Sequence, residues 1–465
     1  MLDVFRKAAK AARPHLKPTD IRTTLARLGS KPTQSLGQNF LHDRNLADWI
    51  VAQLDIGPDD AWVELGPGLG ALTEYAVARS PRGLVIEKDG RLEPLLRERF
   101  PELEIVHGDA LDYDVRELFL RGPVKVLGNL PYNVSSQILL GFTAEPSPVS
   151  TLIFTLQREL AERLSAEPRT KAYGALTLLL GRRWRVKYLR TLPGSVFTPA
   201  PNVESAVVIF TPRPSGEVQD CDGTAFRRLV KLGFAQRRKQ LHNTLSTCNL
   251  DWPALCARLA VPATVRAEEL SLAQWIDLTN FATGHTAMAD LEQNAQDVHG
   301  EMFDVVDEED RVTGTTSRFN VHAQKLRHRA VHIFVFNERG ELFLQKRSRW
   351  KDKNPGQWDS SAAGHVNASQ DYDETAAREI VEELGVSAEV VEIGRIAACE
   401  NTGWEFVRLY RARHEGPFRL HPAEIECGGF FTVDQVGRWV AARPQDFAPG
   451  FLECWRVFQN ATPAE

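Results

Sequence analysis

Apolar residues in this chain come in short runs that end in glycine or a polar residue, with helical spacing between them. Ala61-Trp62-Val63-Glu64-Leu65 reads as a buried strand that enters Gly66-Pro67-Gly68-Leu69-Gly70, and a helix is expected from Ala71. Gly83-Leu84-Val85-Ile86-Glu87 predicts a second strand with an acid at its tip. Leu103–His107 predicts a third, closing on Gly108-Asp109-Ala110-Leu111. Val124–Leu127 predicts a fourth, closing on Gly128-Asn129-Leu130-Pro131-Tyr132. Strands alternating with helical stretches indicate an α/β sheet. Successive strands that finish in polar or glycine elements suit a ligand held at the carboxyl ends of such a sheet. Helices are also expected from Thr19 or Asp20 to about Leu28, over Leu46–Leu54, and, strongly amphipathic, over Phe226–Leu245. From Gly284 to Gly300 the apolar period fades into His, Gln, Asn and Asp, as in a linker. Met302–Val306, Ala330–Val335 and Leu342–Gln345 then begin a new sheet.

Composition changes this picture little. At 465 residues with 43% hydrophobic and 25% charged residues, the chain has the makings of about three globular units. No apolar run approaches a membrane span, so no membrane partner is expected. Residues 1–18 are basic and lack the apolar segment of a secretory signal. The six cysteines form no Cys-x-x-Cys pair, which suggests reduced thiols and a cytoplasmic location. Charge is informative by its asymmetry. Residues 1–285 hold 36 Lys and Arg against 31 Asp and Glu, whereas 286–465 hold 20 against 30. A basic front and an acidic back suggest polyanion binding in the first part only.

Candidate chemistry starts at Gly128–Tyr132. The Asn129 side-chain carbonyl and the Leu130 backbone carbonyl, which Pro131 biases outward, can accept two hydrogen bonds from an exocyclic amino group. Tyr132 offers a ring face, and stacking a base on it contributes roughly 1–3 kcal/mol. Glu87 can accept both hydroxyls of a ribose, and Asp109 can accept from an adenine amino group. Alone, the five residues read equally well as a strand end before a Pro turn. The glycine turn is not a dinucleotide fingerprint, because its third glycine comes too early.

Several ordered motifs settle the balance: SLGQNFL (35–41), ELGPGLGALT (64–73), IEKD (86–89), GDAL (108–111), GNLPYNVS (128–135) and VFTPAPNVESAVV (196–208). Residues 19–285 thereby resemble the ribosomal RNA adenine dimethyltransferase family, which uses S-adenosyl-L-methionine to dimethylate adjacent adenosines near the end of small-subunit RNA. The resemblance implies that Asn39, Leu41, Gly66, Glu87, Asp109 and Asn129 line the methyl-donor site. It implies that Asn129, Leu130 and Tyr132 hold the target base, with Phe197 as a second stacking face. The implied partner is small-subunit ribosomal RNA in the immature 30S subunit. Arg158, Arg163, Arg169, Lys171, Arg182, Arg183, Arg185, Lys187 and Arg190, then Arg227, Arg228, Lys231, Arg237, Arg238 and Lys239, are expected to contact phosphates. The related large-subunit RNA methyltransferases of antibiotic resistance share the donor motifs. The long helical lobe and the Leu of GNLPY favour the small-subunit enzymes.

In the acidic part, Gly364 opens and Arg378-Glu379-Ile380-Val381-Glu382-Glu383-Leu384-Gly385-Val386 closes a second pattern. Glu379, Glu382 and Glu383 stand at i, i+3 and i+4, on one helix face. Carboxylates so grouped repel unless a cation sits among them, and oxygen ligands suit Mg2+ or Mn2+. With the two glycines in register the spacing resembles the Nudix box, which implies a metal-dependent hydrolase of a diphosphate-containing small molecule, with Glu382 catalytic. The family pattern has Glu where this chain has Gln370, and a one-residue adjustment could supply Asp371 instead. Leu326–Arg329, the Trp358 region and Gly364-His365 are also similar to the isopentenyl diphosphate isomerase branch, but Ala362 and Ala363 stand where that branch needs Cys. A binding or docking module without turnover is the other reading of this half. The expected fold class is α/β, a Rossmann-like methyltransferase sheet with a small C-terminal helical lobe, followed by an α+β Nudix-type sandwich. The expected boundaries are an arm and helix over 1–30, a methyltransferase domain over 31–212, an RNA-binding lobe over 213–284, a linker over 285–300 and a Nudix-like domain over 301–465.

Overall fold

The computed structural model describes residues 18–27, 38–214, 217, 221–284, 301–421 and 424–461. The basic arm before Pro18, Ser35–Gly37 and the 285–300 linker lie outside them. The chain divides into two compact units, Met1–Thr283 and Gly284–Glu465.

In the first unit the strands are β1 (Phe40–Leu41), β2 (Ala61–Leu65), β3 (Gly83–Glu87), β4 (Glu104–His107), β5 (Val124–Asn129), β6 (Val149–Gln157), β7 (Trp184–Leu192), β8 (Phe197–Thr198) and β9 (Ser205–Pro212). Seven form one sheet in the order β4-β3-β2-β5-β6-β9-β7, parallel from β4 to β6 and antiparallel at β9 and β7. Alternate residues sort to opposite faces. Val63, Val126, Leu152, Phe154 and Val208 enter one core, and Trp62, Val85, Leu127, Ile153 and Val207 enter the other. Both faces are therefore covered, which is why these strands read as continuous apolar runs. The chain winds outward from β2 through β3 to β4, then returns to β5 on the other side of β2. That reversal opens a crevice at the carboxyl ends of β2 and β5.

Behind the sheet, the Gly223–Phe234 helix packs Phe226, Leu229 and Val230 into a separate core around Trp275. A Cβ on Gly233 would fall 2.4 Å from the Trp275 ring. The helix expected over Phe226–Leu245 is broken. It stops at Phe234, and helix resumes only at Leu241–Thr244. Gln236–Lys239 contains no apolar residue to bury, and Arg237 donates instead to the carbonyls of Lys171 and Tyr173.

The second unit opens with a hairpin of β10 (Met302–Val306) and β11 (Val312–Ser317). Its main sheet contains β12 (His328–Phe336), β13 (Leu342–Arg347), β14 (Trp358–Asp359), β15 (Ala362–His365), β16 (Val391–Ile396), β17 (Glu405–Arg413) and β18 (Ile425–Phe431). The order is β14-β13-β12-β17-β16, with β15 on β12 and β18 on β13. Along β12, Val331, Ile333 and Val335 share a core with Ala376, Ile380 and Leu384 of the Tyr372–Leu384 helix. Phe334 and Phe336 point the other way, onto Phe451, Trp455 and Phe458 of the Pro449–Ala461 helix. A sheet between helices results.

Candidate functional site

The crevice between β2 and β5 is lined by Asn39, Leu41, Gly66, Glu87, Asp109 and Asn129, so all six predicted donor residues meet at one cavity. Gly66, Gly68 and Gly70 all take positive φ, the conformation that lets this turn bend away from the strand end. Glu87 Oε2 accepts from the Gly68 amide at 3.0 Å and Oε1 from the Asp89 amide at 2.8 Å, which fixes its carboxylate at the cavity wall. Burial raises the Glu87 pKa against these two bonds. Burial also acts on Asp109, but Lys88 Nζ at 2.6 Å and the Leu111 amide hold its carboxyl below the usual range. Asn129 Nδ2 donates to the Asn39 carbonyl at 2.7 Å, so the amide oxygen is the end left to accept from a ligand. Leu130 and Pro131 continue the wall. Tyr132 stands beside the cavity, half-buried, with its hydroxyl 2.5 Å from Ser205 Oγ. Phe197 does not reach it. Its side chain is 3% exposed, opposite Leu41 in the β1–β8 ribbon and packed in the Trp62 core, so no ring face remains for a base.

Beneath this wall, Glu64 is buried and Thr73 Oγ1 donates to it at 2.6 Å. Burial pushes its carboxyl from 4.5 up to about 8. Stability linked to the neutral form is thus fully present below pH about 4.5 and is lost as pH rises to about 8. Glu64→Gln keeps the shape without the titration. It is expected to leave stability nearly unchanged at about pH 5 and to raise it at about pH 8 by on the order of a few kcal/mol. Thermal melts across that range would show parallel profiles for the two proteins if Glu64 were ionised in the fold.

In the second unit, Glu379, Glu382 and Glu383 line a cavity of about 450 Å³ with Arg347, Lys351 and Glu424, room for a small phosphorylated ligand. The two box glycines have steric reasons. A Cβ on Gly364 would lie 2.1 Å from the Glu379 carboxyl, and Gly385, at φ +68°, ends the helix against Arg419. Glu383 Oε2 accepts from the Ala363 amide at 3.2 Å and from Gln345 Nε2 at 3.1 Å. Burial, then the neighbouring Glu424 and Glu379, push the Glu383 pKa well up. Burial also lifts Glu379 to about 7 against the pull of Arg378. Arg378 reaches Glu379 at 2.9 Å and the exposed Glu382 at 2.6 Å. Asp371 does not replace the missing acid: it caps the helix, accepting from the Glu374 amide at 2.8 Å. Gln370 Oε1 and Arg378 Nε are both buried without a hydrogen-bond partner.

A family model described as "Ribosomal RNA adenine dimethylase" matches residues 29–283, more than half of the chain. The chain belongs to that family. "Ribosomal RNA small subunit methyltransferase A" of Lactiplantibacillus plantarum is 36% identical over 278 residues, spanning 57% of this chain and 94% of that protein. The protein of the same name from Bordetella avium is 42% identical over 248 residues, spanning 52% and 92%. A model described as "NUDIX domain" matches residues 326–450, so this chain carries a Nudix domain behind its methyltransferase part.

Several further wall residues of this cavity stand inside the motifs SLGQNFL and GDAL but were given no role of their own from the sequence. Gln38 reaches Asp89 at 2.9 Å, and Gly108 and Ala110 flank Asp109 at the cavity. Glu424 was missed in the Nudix domain. It lies about 40 residues beyond the box and no local pattern marks it. Several expected phosphate-binding cations are already engaged: Arg158 with Glu162 and Glu204, Arg182 and Arg183 with Glu145, and Arg185 with Glu217. Arg227, Arg228, Lys231, Arg238 and Lys239 remain exposed on the helical lobe.

Proposed function

We propose that the first unit transfers methyl groups from S-adenosyl-L-methionine to N6 of two adjacent adenosines near the 3′ end of 16S ribosomal RNA. Its substrate would be the immature 30S subunit in the cytoplasm. The observation that carries this reading is the convergence of Asn39, Leu41, Gly66, Glu87, Asp109 and Asn129 on one cavity walled by Leu130 and Pro131. The first five, with Asn129 at the edge, would hold the donor, which supplies a methyl group already activated by its sulfonium. Adenine N6 is a poor nucleophile because its lone pair is delocalised into the ring. The Asn129 amide oxygen and the Leu130 carbonyl would accept its two N–H bonds, favour a tetrahedral nitrogen and aim the lone pair into the cavity. Such positioning is a large part of a bimolecular barrier. Tyr132, anchored through Ser205, would stack the base after it leaves its helix. No general base is required, since the proton departs after attack. Labelled methyl transfer to immature small subunits tests the assignment, with primer extension on both subunit RNAs. Modification confined to large-subunit RNA would overturn it.

The exposed cations of the helical lobe would grip RNA phosphates. Replacing Arg228, Lys231 and Arg238 together by Glu is expected to weaken RNA binding and to flatten its salt dependence by about three phosphate contacts. Titrations at several salt concentrations measure the slope. An unchanged slope would place RNA elsewhere.

The Nudix domain would hydrolyse a diphosphate-containing small molecule with Mg2+ or Mn2+. Glu379, Glu382 and Glu383 offer the oxygen donors such ions take, and one arginine, Arg378, serves two of them while Glu383 pairs with no cation. The ion supplies Lewis acidity toward a phosphoryl oxygen when bound, and Glu382, the most exposed of the three, would position or deprotonate the water. The partnerless Gln370 and Arg378 atoms favour a second reading, a binding module without turnover.

A further inference from the structure

The Pro449–Ala461 helix begins against the cavity of the box. Its 13 residues carry a dipole whose positive end stands at Pro449, and the first amides of a helix lack an intrahelical acceptor. Leu452 N donates to the Ala448 carbonyl at 3.2 Å, but the Gly450 and Phe451 amides meet no acceptor among the described residues. Ala448, just outside the helix, has no side-chain oxygen to cap them. Ala448 and Gly450 both line the cavity, so this end of the helix faces open space.

A buried histidine is aimed at the same point. His332 shares the β12 face of Phe334 and Phe336, which pack on this helix. It is 6% exposed and lines the cavity. A Cβ on Gly450 would stand 3.4 Å from its Nε2, so the ring edge faces the first helical turn. The other ring nitrogen is tied down. Ser360 Oγ lies 2.7 Å from Nδ1, the one hydrogen bond of a wholly buried hydroxyl. The hydroxyl proton has no other acceptor and goes to Nδ1, so the ring's own proton stands on Nε2. The neighbouring carboxylate is engaged elsewhere. Asp359 accepts from the Ser360 amide and from Arg347 Nη1, each at 2.8 Å, and stays 3.7 Å from Nδ1. His332 Nε2 thus has no hydrogen-bond partner among the described residues, and neither have the two amides beside it.

We propose that His332 Nε2 and the Gly450 and Phe451 amides form an oxyanion subsite, which takes a phosphoryl group of the diphosphate ligand other than the one held at the box. This subsite rests on the diphosphate reading of the cavity and extends it. Convergent N–H donors at the positive end of a helix suit a phosphate. Buried donors left unpaired are costly, and an oxyanion removes that cost. Box and subsite are connected through β15, because His332 is the direct partner of Ala363, whose amide donates to Glu383. The box helix packs on one face of β12 and the Pro449–Ala461 helix on the other, so one ligand is gripped from both. A hydrocarbon at the subsite would leave its donors unpaired, which disfavours a prenyl tail there.

The test is calorimetric titration of full-length protein, stripped of metal with chelator, with inorganic phosphate. Saturable binding is expected. His332→Phe keeps a ring without the donor. Gly450→Ala keeps the amide but sets a methyl 3.4 Å from Nε2, inside the subsite. Each should weaken phosphate by at least about tenfold, the range of a hydrogen bond to a charged group. Alanine is the better helix former, so the melting temperature of Gly450→Ala should not fall. Glu383→Gln, in the box, should not weaken phosphate. Imidodiphosphate, a diphosphate that resists hydrolysis, should bind with Mg2+ at least about 100-fold more tightly than phosphate, since two linked groups engage at once. Glu383→Gln should remove that gain and His332→Phe reduce it. No saturable phosphate binding in the wild type, or affinity indifferent to either His332→Phe or Gly450→Ala, overturns the subsite. Phosphate bound as expected, with no gain from imidodiphosphate and Mg2+, overturns the diphosphate reading of the box instead.

Discussion

Replacing Asn129 by alanine is expected to lower methyl transfer by roughly 10²–10³-fold, the cost of removing one preorganised hydrogen-bonding group from a reacting centre. The reason is geometric. Asn129 Nδ2 is engaged with the Asn39 carbonyl at 2.7 Å, so the side-chain oxygen is held in one direction. Alanine deletes that acceptor while the turn over Gly66–Gly70 and the Glu87 contacts to the Gly68 and Asp89 amides remain. Donor affinity should therefore fall by no more than about tenfold, one hydrogen bond's worth. Asn129→Asp separates the two parts of the side chain. It keeps an acceptor but sets an anion against the Asn39 carbonyl, so donor binding should suffer more than in the alanine variant. Single-turnover transfer to immature subunits and calorimetric donor titration measure the two quantities independently. A wild-type transfer rate in Asn129→Ala would remove Asn129 from the target-base pocket.

The second large effect is expected at the box. Glu383 is buried between Glu379 and Glu424, and its pKa is pushed up by burial and by both neighbours. A carboxylate in that position repels its neighbours when no cation is present. Glu383→Gln should accordingly raise the metal-free melting temperature while abolishing stabilisation by Mg2+ or Mn2+ and any metal-dependent turnover. Removing repulsion and removing a ligand have opposite signs, so one pair of melts with and without metal distinguishes them. Gln370→Glu is the complementary change. It places a carboxylate where the Nudix pattern has one, at a side chain whose buried Oε1 has no hydrogen-bond partner. A hydrolase working below capacity should gain turnover or metal affinity of roughly tenfold, the range for an outer-shell contact. No turnover from either wild type or Gln370→Glu on a broad diphosphate panel would leave the binding-module reading in its place.

Much of this architecture is legible in the residue order. Runs such as Ala61–Leu65 and Val124–Leu127 are apolar on both faces, Glu64 and Lys125 apart, because both faces of the parallel sheet are covered. The residues that close each strand, Gly66, Glu87, Asp109 and Asn129, sit at strand ends for a local reason, and the ends of parallel strands converge. The helical i, i+3, i+4 spacing likewise announces that Glu379, Glu382 and Glu383 share a face. Tertiary structure alone decided the rest. Phe197, expected from the resemblance as a second stacking face, is instead core, where it pairs with Leu41 and packs beside Trp62. The basic residues count as free charges in a sequence, yet Arg158, Arg182, Arg183 and Arg185 each find a carboxylate. Glu424 joins the box only because a segment about 40 residues further along the chain packs at the same cavity. Periodicity records that a position is buried; it carries no information about which distant segment buries it, and a ligand cluster assembled across strands is made entirely of such choices.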